Sequence, residues 1–429
     1  MQLVAWVALC LATAWWFRRR PVLLACLVFW LWTLVPSVAG HHLTGLSVLS
    51  PLGFHPASWL ALAGVLAQMI WDPGHLGRVI GSHPYLSTML VLFIVMGGAT
   101  SYYNGSGGSR LLIDQIVAPV ALGLMVISRA DRRGQLLLRD TVLLATAVQA
   151  VLSLMQSALG SIIFYEDDYL TNSWFSLDRF VRWMGTTESP LILSLLLSSG
   201  AALTLGLRSN VFRFGLLLLY CSSTLVTQSR VGGVMMLGVL VLAVFRSRIS
   251  IWTRLLTSAG LVGASIWIAA TGLAGGLLSR LQDDTGSSQA REQALQFVLE
   301  NWHKYLFSGA GLTSSYDIAR EAGLQTSVES SFLMYAIDVG LVLAVLFFGG
   351  QVLLLALYGR HGWISGIALG ATLVLVLQNA SSALAFANLT GTLTWVLLGL
   401  VIAGARTGPP PDQRAGAPAA ARPLASASS

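Results

Sequence analysis

The feature that most limits what this chain can fold into is a succession of long apolar runs separated by short, basic loops. Runs near the ~20 residues a helix needs to cross a bilayer fall at residues 1–17, 21–39, 56–71, 85–103, 111–128, 141–159, 189–207, 212–228, 232–245, 255–273, 330–357, 363–380 and 389–404. The pattern predicts an all-α polytopic membrane protein with about 12–13 transmembrane helices, since only helices or closed barrels satisfy the backbone in lipid. Composition agrees. Of 429 residues, 55% are hydrophobic and 10% charged, with a mean hydropathy of +0.72, which is too little charge to solvate a soluble protein of this size. Cys10, Cys26 and Cys221 all lie inside apolar runs and read as small buried residues, not as a disulfide or metal set. The first run lacks a positive leader and is followed by Arg18–Arg20, so it reads as a retained helix and not a cleaved signal.

The net charge of +7 does not point to nucleic acid, because the basic residues form small clusters between apolar runs. If Arg18–Arg20 are cytoplasmic, alternation puts Arg78, Arg129, Arg132, Arg133, Arg139, Arg208, Arg213, Arg246, Arg248, Arg254, Arg360, Arg406, Arg414 and Arg422 on the same side, 17 of the 25. Arg110, Arg179, Arg182, Arg230, Arg280, Arg291, Lys304 and Arg320 fall on the other. This bias predicts an external N-terminus and a cytoplasmic C-terminus. Residues 1–274 then carry the first ten helices and an outer loop at 160–188, 275–328 form a large outer loop, 329–405 carry the last helices, and 406–429 form a Pro/Ala/Ser-rich cytoplasmic tail expected to be disordered.

Polar chemistry collects in the two outer loops. The first holds Glu166, Asp167, Asp168, Asp178, Arg179, Arg182 and Glu188; the second holds Arg280, Asp283, Asp284, Arg291, Glu292, Glu300, Lys304, Asp317, Arg320 and Glu321, with Glu329 at the following helix start. Gln289–Tyr305 reads as an amphipathic helix, with Ala294, Leu295, Val298, Leu299 and Trp302 at 3–4 spacing, Ser287 or Ser288 as its cap, Arg291 on its first turn, and Gly309 and Gly311 ending it. Laid apolar side down, such a helix holds Arg291 at lipid-headgroup depth. Arg230 joins two apolar runs with almost no loop between them, followed by the turn-type residues Gly232 and Gly233. It reads either as an arginine snorkelling to the interface or as an anion ligand. Arg182 reads as an interface anchor beside Trp183 or as a ligand for a sugar or phosphate. The carboxylates at 166–168 and 283–284 read as solvated more readily than as a cation site, and His41–His42 is too isolated for one. Asp114 and Asp338 lie within apolar runs, where each needs a partner; Asp338 suits bracing of the bundle, and Asp114 has no adjacent counter-charge in sequence. The tryptophans fit interfacial belts.

Four short pieces, in order over roughly 180–345, resemble the bacterial family of O-antigen ligases and O-antigen or exopolysaccharide polymerases. They are Arg182-Trp183-Met184-Gly185-Thr186 running to Pro190; Ser229-Arg230 within TQSRVGG; Arg291, then Trp302 and Ser308-Gly309-Ala310-Gly311; and Glu329-Ser330-Ser331-Phe332-Leu333 with Asp338-Val339-Gly340-Leu341. The resemblance implies a GT-C-like glycosyltransferase of the inner membrane, acting on the periplasmic face without a metal or other cofactor. Donor and acceptor would be undecaprenyl-pyrophosphate-linked oligosaccharides, with chain-length-regulating and export proteins as further candidate partners and no nucleic acid. On this resemblance Arg230 and Arg291 match the arginines that bind the pyrophosphate, Glu329 matches the catalytic base, and Arg182 and Arg320 are further candidate substrate ligands. Guanidinium forks suit a departing diphosphate because they bind its oxygens bidentately. Ligases carry histidine where this chain has Glu329, which favours a polymerase; a ligase or a lipid-linked sugar flippase is the alternative.

Overall fold

The computed structural model describes residues 1–47, 50–170, 182–246, 285–324, 328–362 and 365–407. Among them all regular structure is helical: α1 Gln2–Trp16, α2 Pro21–Leu34, α3 His41–Thr44, α4 Pro56–Trp71, α5 Pro73–Ser82, α6 Pro84–Tyr103, α7 Ser109–Arg129, α8 Arg132–Leu159, α9 Glu166–Leu170, α10 Pro190–Thr204, α11 Asn210–Thr227 and α12 Arg230–Arg246. From residue 285 onward come α13 Thr285–Asn301, α14 Ser314–Glu321, α15 Ser331–Val339, α16 Leu341–Gly362, α17 Ile367–Asn379 and α18 Thr390–Thr407. The expected run at 255–273, Arg179, Arg280, Asp283, Asp284 and the tail from 408 lie outside the described residues.

The chain is a polytopic helical membrane protein. Six described helices are long and apolar enough to cross a bilayer (α6, α7, α8, α11, residues 341–360 of α16, and α18), and a seventh span arises if α2 and residues 37–44, bent by 93°, count as one. This is fewer than the run count, because α1, α4, α10 and α17 are apolar but only 13 to 16 residues long. At 1.5 Å per residue such helices reach ~20–24 Å, short of a ~30 Å hydrocarbon layer. Apolar side chains such as Val95, Leu218, Leu237 and Val345 project outward from mid-helix, as a lipid-facing surface requires.

Local sequence sets the helix boundaries. Proline occupies the first turn of α2, α4, α5, α6 and α10, where its missing N–H costs nothing. Asp131 and Ser189 accept from Gly134 N–H and Ile192 N–H at the starts of α8 and α10. The centre is α10, whose side chains are all buried except Leu191, packed on α8, α11, α12 and α17. Small residues allow close backbone approach: a Cβ at Gly123 would lie 3.1 Å from Trp395 O, and one at Gly399 would lie 3.2 Å from Gly123 O.

The expected single helix over 330–357 is broken. Gly340 adopts φ +106°, and a Cβ there would stand 3.0 Å from the Phe307 carbonyl group, so α15 and α16 part where the 306–308 backbone docks. Val342 N–H donates to Leu306 O across the break. The amphipathic helix is present as α13, followed by a 3-10 turn at Trp302–Tyr305. It starts before Ser287 and Ser288, so neither caps it, and Arg291 lies on its second turn and not its first. Only Ala294 and Val298 of the expected apolar face are buried, against Ala319, Met334 and Ile337. Leu295, Leu299 and Trp302 stay exposed.

Hydrogen bonds sort the connections into two ends. At one, Gln68 bonds Arg18 O, Arg129 pairs with Asp72, Arg139 reaches Gly206 O and Arg406 reaches Ser82. At the other, Thr186 meets Thr33, Glu188 meets Ser37, Gln115 meets Phe386, and Ser331 meets Ser381. The first is an arginine end and the second a loop end.

Candidate functional site

The four pieces at the loop end contact one another in pairs. The first pair joins residues 182–186 to the turn before Arg230. Arg182 Nε donates to Thr227 O at 2.9 Å, and Trp183 N–H donates to Val226 O at 3.1 Å, so the arginine caps the C-terminus of α11. Gly185 and Thr186 are pinned by two glutamines of α8. Gln156 exchanges bonds with Gly185 N and O at 2.8 Å each; Gln149 accepts from Thr186 N at 2.9 Å and donates to Thr186 Oγ1 at 2.7 Å. Gly185 has φ +62°, and a Cβ there would overlap the Gln149 amide, so only glycine fits.

Gln228, in the left-handed region at φ +51°, then turns the chain into α12. Ser229 Oγ accepts from Gly232 N–H at 3.2 Å, and Arg230 is the first helical residue. Gly232 and Gly233 lie inside α12 and form no turn. Gly232 serves close approach instead, since a Cβ there would meet Ser194 of α10 at 2.7 Å. Arg230 itself is half-buried.

The second pair is Arg291 and Glu329, 38 residues apart in sequence, with Arg291 Nε donating to Glu329 Oε2 at 2.6 Å. The side chains are 46% and 27% exposed, so water competes for both. An ion pair this open is worth ~0–1 kcal/mol, little enough for an anionic ligand to displace it. Glu329 holds φ +47°, a conformation a non-glycine residue keeps only where its surroundings impose it. The next residues impose it: Ser331 N–H and Oγ both donate to Ser381 O, and Leu384 N–H donates back to Ser331 Oγ.

The third pair joins Ser308–Gly311 to the end of α15. Ala310 N–H donates to Ile337 O and Gly311 N–H to Asp338 O, at 2.9 and 2.8 Å. A Cβ at Gly309 would overlap the Asp338 backbone. Asp338 braces a loop and not the helix bundle: Oδ2 accepts from Thr313 N–H at 3.0 Å and Oδ1 from Ser315 N–H at 2.7 Å, capping α14 from another helix. Asp114, in a π-wound turn of α7, accepts from His55 N–H at 3.0 Å and pairs with Arg110 at 3.5 Å. Its counter-charge is therefore the arginine one helical turn earlier, which the sequence reading passed over.

Helix directions put these pairs at one end of the molecule. The N-termini of α10 and α12 meet at Ser194 and Gly232, while Gly370 of α17 meets Ser199 of α10, so α17 runs antiparallel and ends beside Ser381 and Ser331. Arg182, Arg230, Arg291 and Glu329 thus all lie at the loop end. Arg320 does not join the pair: it bonds Asp317 at 2.6 Å on a surface where the two side chains are 79% and 64% exposed.

Two groups at this end stand differently from their reading in the sequence, where Glu188 is one acid among several and His41–His42 is set aside as isolated. Glu188 Oε1 accepts from Ser37 N–H at 2.6 Å, its Oε2 is enclosed without a hydrogen-bond partner, and burial pushes the carboxyl up to about 7. His41, His42 and Asp168 meet within 4.8 Å. All four described non-glycine residues with positive φ (Tyr165, Gln228, Thr313 and Glu329) also lie at the loop end. The chain matches no protein-family model and no curated protein sequence.

Proposed function

We propose that this protein is a polysaccharide polymerase, a GT-C-like glycosyltransferase that joins undecaprenyl-pyrophosphate-linked oligosaccharide repeats at the periplasmic face of the bacterial inner membrane. The contact between Arg291 and Glu329 is the observation that carries the reading. It brings together an arginine suited to a diphosphate and a carboxylate suited to a hydroxyl, at the end that also holds Arg230 and Arg182. In this orientation the arginine end faces the cytoplasm, as the charge bias requires.

The acceptor hydroxyl oxygen attacks the donor's anomeric carbon while the bond to the diphosphate oxygen breaks, and the diphosphate leaves with the bonding electrons. Arg230 and Arg291 stabilise that charge, and Glu329 takes the hydroxyl proton. While Arg291 holds Oε2, that oxygen is not available to an acceptor hydroxyl. A diphosphate drawing Arg291 away frees the carboxylate, so donor binding prepares the base. Arg182 holds the turn that precedes Arg230.

The test is the lipid-linked glycan profile of a strain lacking the gene. Single repeats on lipid are expected. Long lipid-linked chains would instead indicate a ligase, and repeats trapped on the cytoplasmic leaflet a flippase; either result would refute the polymerase reading.

A further inference from the structure

Beside the elbow between α2 and α3, two imidazoles face one carboxylate from a distant part of the chain. His42 Nε2 lies 2.9 Å from Asp168 Oδ2, and His41 Nε2 lies 3.6 Å from Asp168 Oδ1. The pairing spans 126 residues and joins the four-residue α3 to α9 at the start of the first outer loop. We infer that His41, His42 and Asp168 form a binding site for a divalent transition-metal ion of the Zn(II) class, which clamps the first outer loop to the α2–α3 elbow. This site is separate from Arg230, Arg291 and Glu329 and does not depend on the glycosyl-transfer reading.

Three observations favour an ion over a simple imidazole–carboxylate contact. First, His41 Nδ1 lies 3.0 Å from Val38 O. A carbonyl only accepts, so Nδ1 carries the proton and Nε2, the nitrogen facing Asp168, carries the lone pair. A backbone carbonyl behind a histidine is the usual outer partner that fixes a metal-binding tautomer. A lone pair aimed at a carboxylate oxygen is repulsive unless a proton or a cation stands between them.

Second, the two rings lie 4.1 Å apart, tilted by 37°. Because His41 Nδ1 already holds a proton against Val38 O, a second proton at its Nε2 would make it an imidazolium beside the His42 ring, whereas one divalent ion binds both rings in their neutral form. Third, the spacing suits the ion. Tetrahedral zinc, with bonds of ~2.0–2.2 Å, holds its ligand atoms ~3.3–3.6 Å apart. The distances of 2.9 and 3.6 Å to the two Asp168 oxygens lie on either side of that range, and all three ligand atoms lie within 4.8 Å of one another. Side-chain exposures of 40%, 56% and 14% leave an approach path and room for water to complete the coordination shell.

The experiment uses the full chain, purified in detergent without a polyhistidine tag, stripped with chelator and titrated with Zn(II) alone by calorimetry. One ion per chain is expected, with affinity at least about tenfold weaker in His41→Ala and in Asp168→Asn and unchanged in His75→Ala, whose imidazole pairs with Asp72 at the arginine end. Co(II) added to the stripped wild-type protein should give the intense visible absorption of a low-symmetry nitrogen–oxygen site, a readout independent of any variant's folding. The inference is overturned if the wild type binds no Zn(II) at micromolar concentration, or if one ion binds equally well after His41→Ala and Asp168→Asn.

Discussion

Removing the Asp338 carboxylate should loosen the segment that positions Arg291 without touching Arg291 or Glu329. Asp338 is 2% exposed, and its two oxygens accept the backbone N–H groups of Thr313 and Ser315. Asp338→Ala orphans both donors. The Ser315 bond is buried and the Thr313 bond part-buried, so the first forfeits a full desolvation penalty and the second finds some water. At ~1–3 kcal/mol for a buried orphan and less for a wetted one, the variant should lose ~2–4 kcal/mol. Asp338→Asn keeps one acceptor but turns an amide N–H toward the other donor, so ~1–2 kcal/mol is expected.

Chemical unfolding in detergent measures the total, and amide exchange over 306–324 locates it. Exchange should accelerate at Thr313 and Ser315 and spread into α14, whose Ala319 packs against Ala294 of α13. Because α13 carries Arg291, transfer activity should fall with the alanine variant more than with the asparagine one. A stability change under 0.5 kcal/mol with unaltered exchange at 313–315 would refute the reasoning.

Arg230→Lys and Arg291→Lys should each lower polymer formation at least ~10-fold, because a point charge does not reproduce a bidentate fork; near-normal polymer from either argues against the diphosphate clamp. Glu329→Gln should slow transfer ~100-fold with donor binding within about twofold, and an unchanged transfer rate removes it as the base. Glu188 holds its proton more tightly folded, at about 7, than in an ordinary glutamate at 4.5. Its contribution is therefore full below 4.5 and lost as pH rises through 7. Glu188→Gln should accordingly flatten the decline in unfolding midpoint between pH 5 and 8, and an unchanged slope would show that Glu188 is not its source. Gly340→Ala, forced to φ +106° against the Phe307 backbone, should destabilise by at least ~1–3 kcal/mol, measured by chemical unfolding; a neutral change would mean that the break between α15 and α16 is not fixed there.

Much of the architecture was legible because lipid leaves few options. Apolar runs located the helices, prolines marked several starts, and the arginine bias separated the two ends. Span length was less legible: hydropathy continues past a helix end when the flanking residues are apolar, as at Val35–Ala39, where the chain turns by 93°. The break at Gly340 was hidden for a related reason. Its cause is a backbone segment some thirty residues earlier that docks against it, and nothing local to the apolar run announces that. At the site, the four pieces were visible in sequence, but their pairing was not. Arg182 reads equally well as an anchor until Thr227 O is found on its Nε, and His41–His42 stays an isolated pair until Asp168 arrives from 126 residues away.

A search for charges overlooks the residues that make the loop end possible. Non-helical backbone buried among membrane helices persists only if protein groups satisfy it. Here buried side-chain amides do so, three of them within apolar helices. Gln115 donates to Phe386 O and Asn388 O while accepting from Gly391 N–H, Gln149 and Gln156 hold Gly185–Thr186, and Asn388 closes its own turn on Ala383 O. These amides are buried to 1% exposure or less. A buried glutamine in an otherwise apolar run needs a polar partner, and for Gln115, Gln149 and Gln156 that partner is an irregular segment. Gln68 does the same for Arg18 O at the arginine end, and Gln378 bonds Gln351 between two helices, so such a glutamine marks a polar partner and not one particular end. Arg230, Arg291 and Glu329 are exposed or half-buried, whereas the neutral amides that hold the irregular backbone at their end are fully buried.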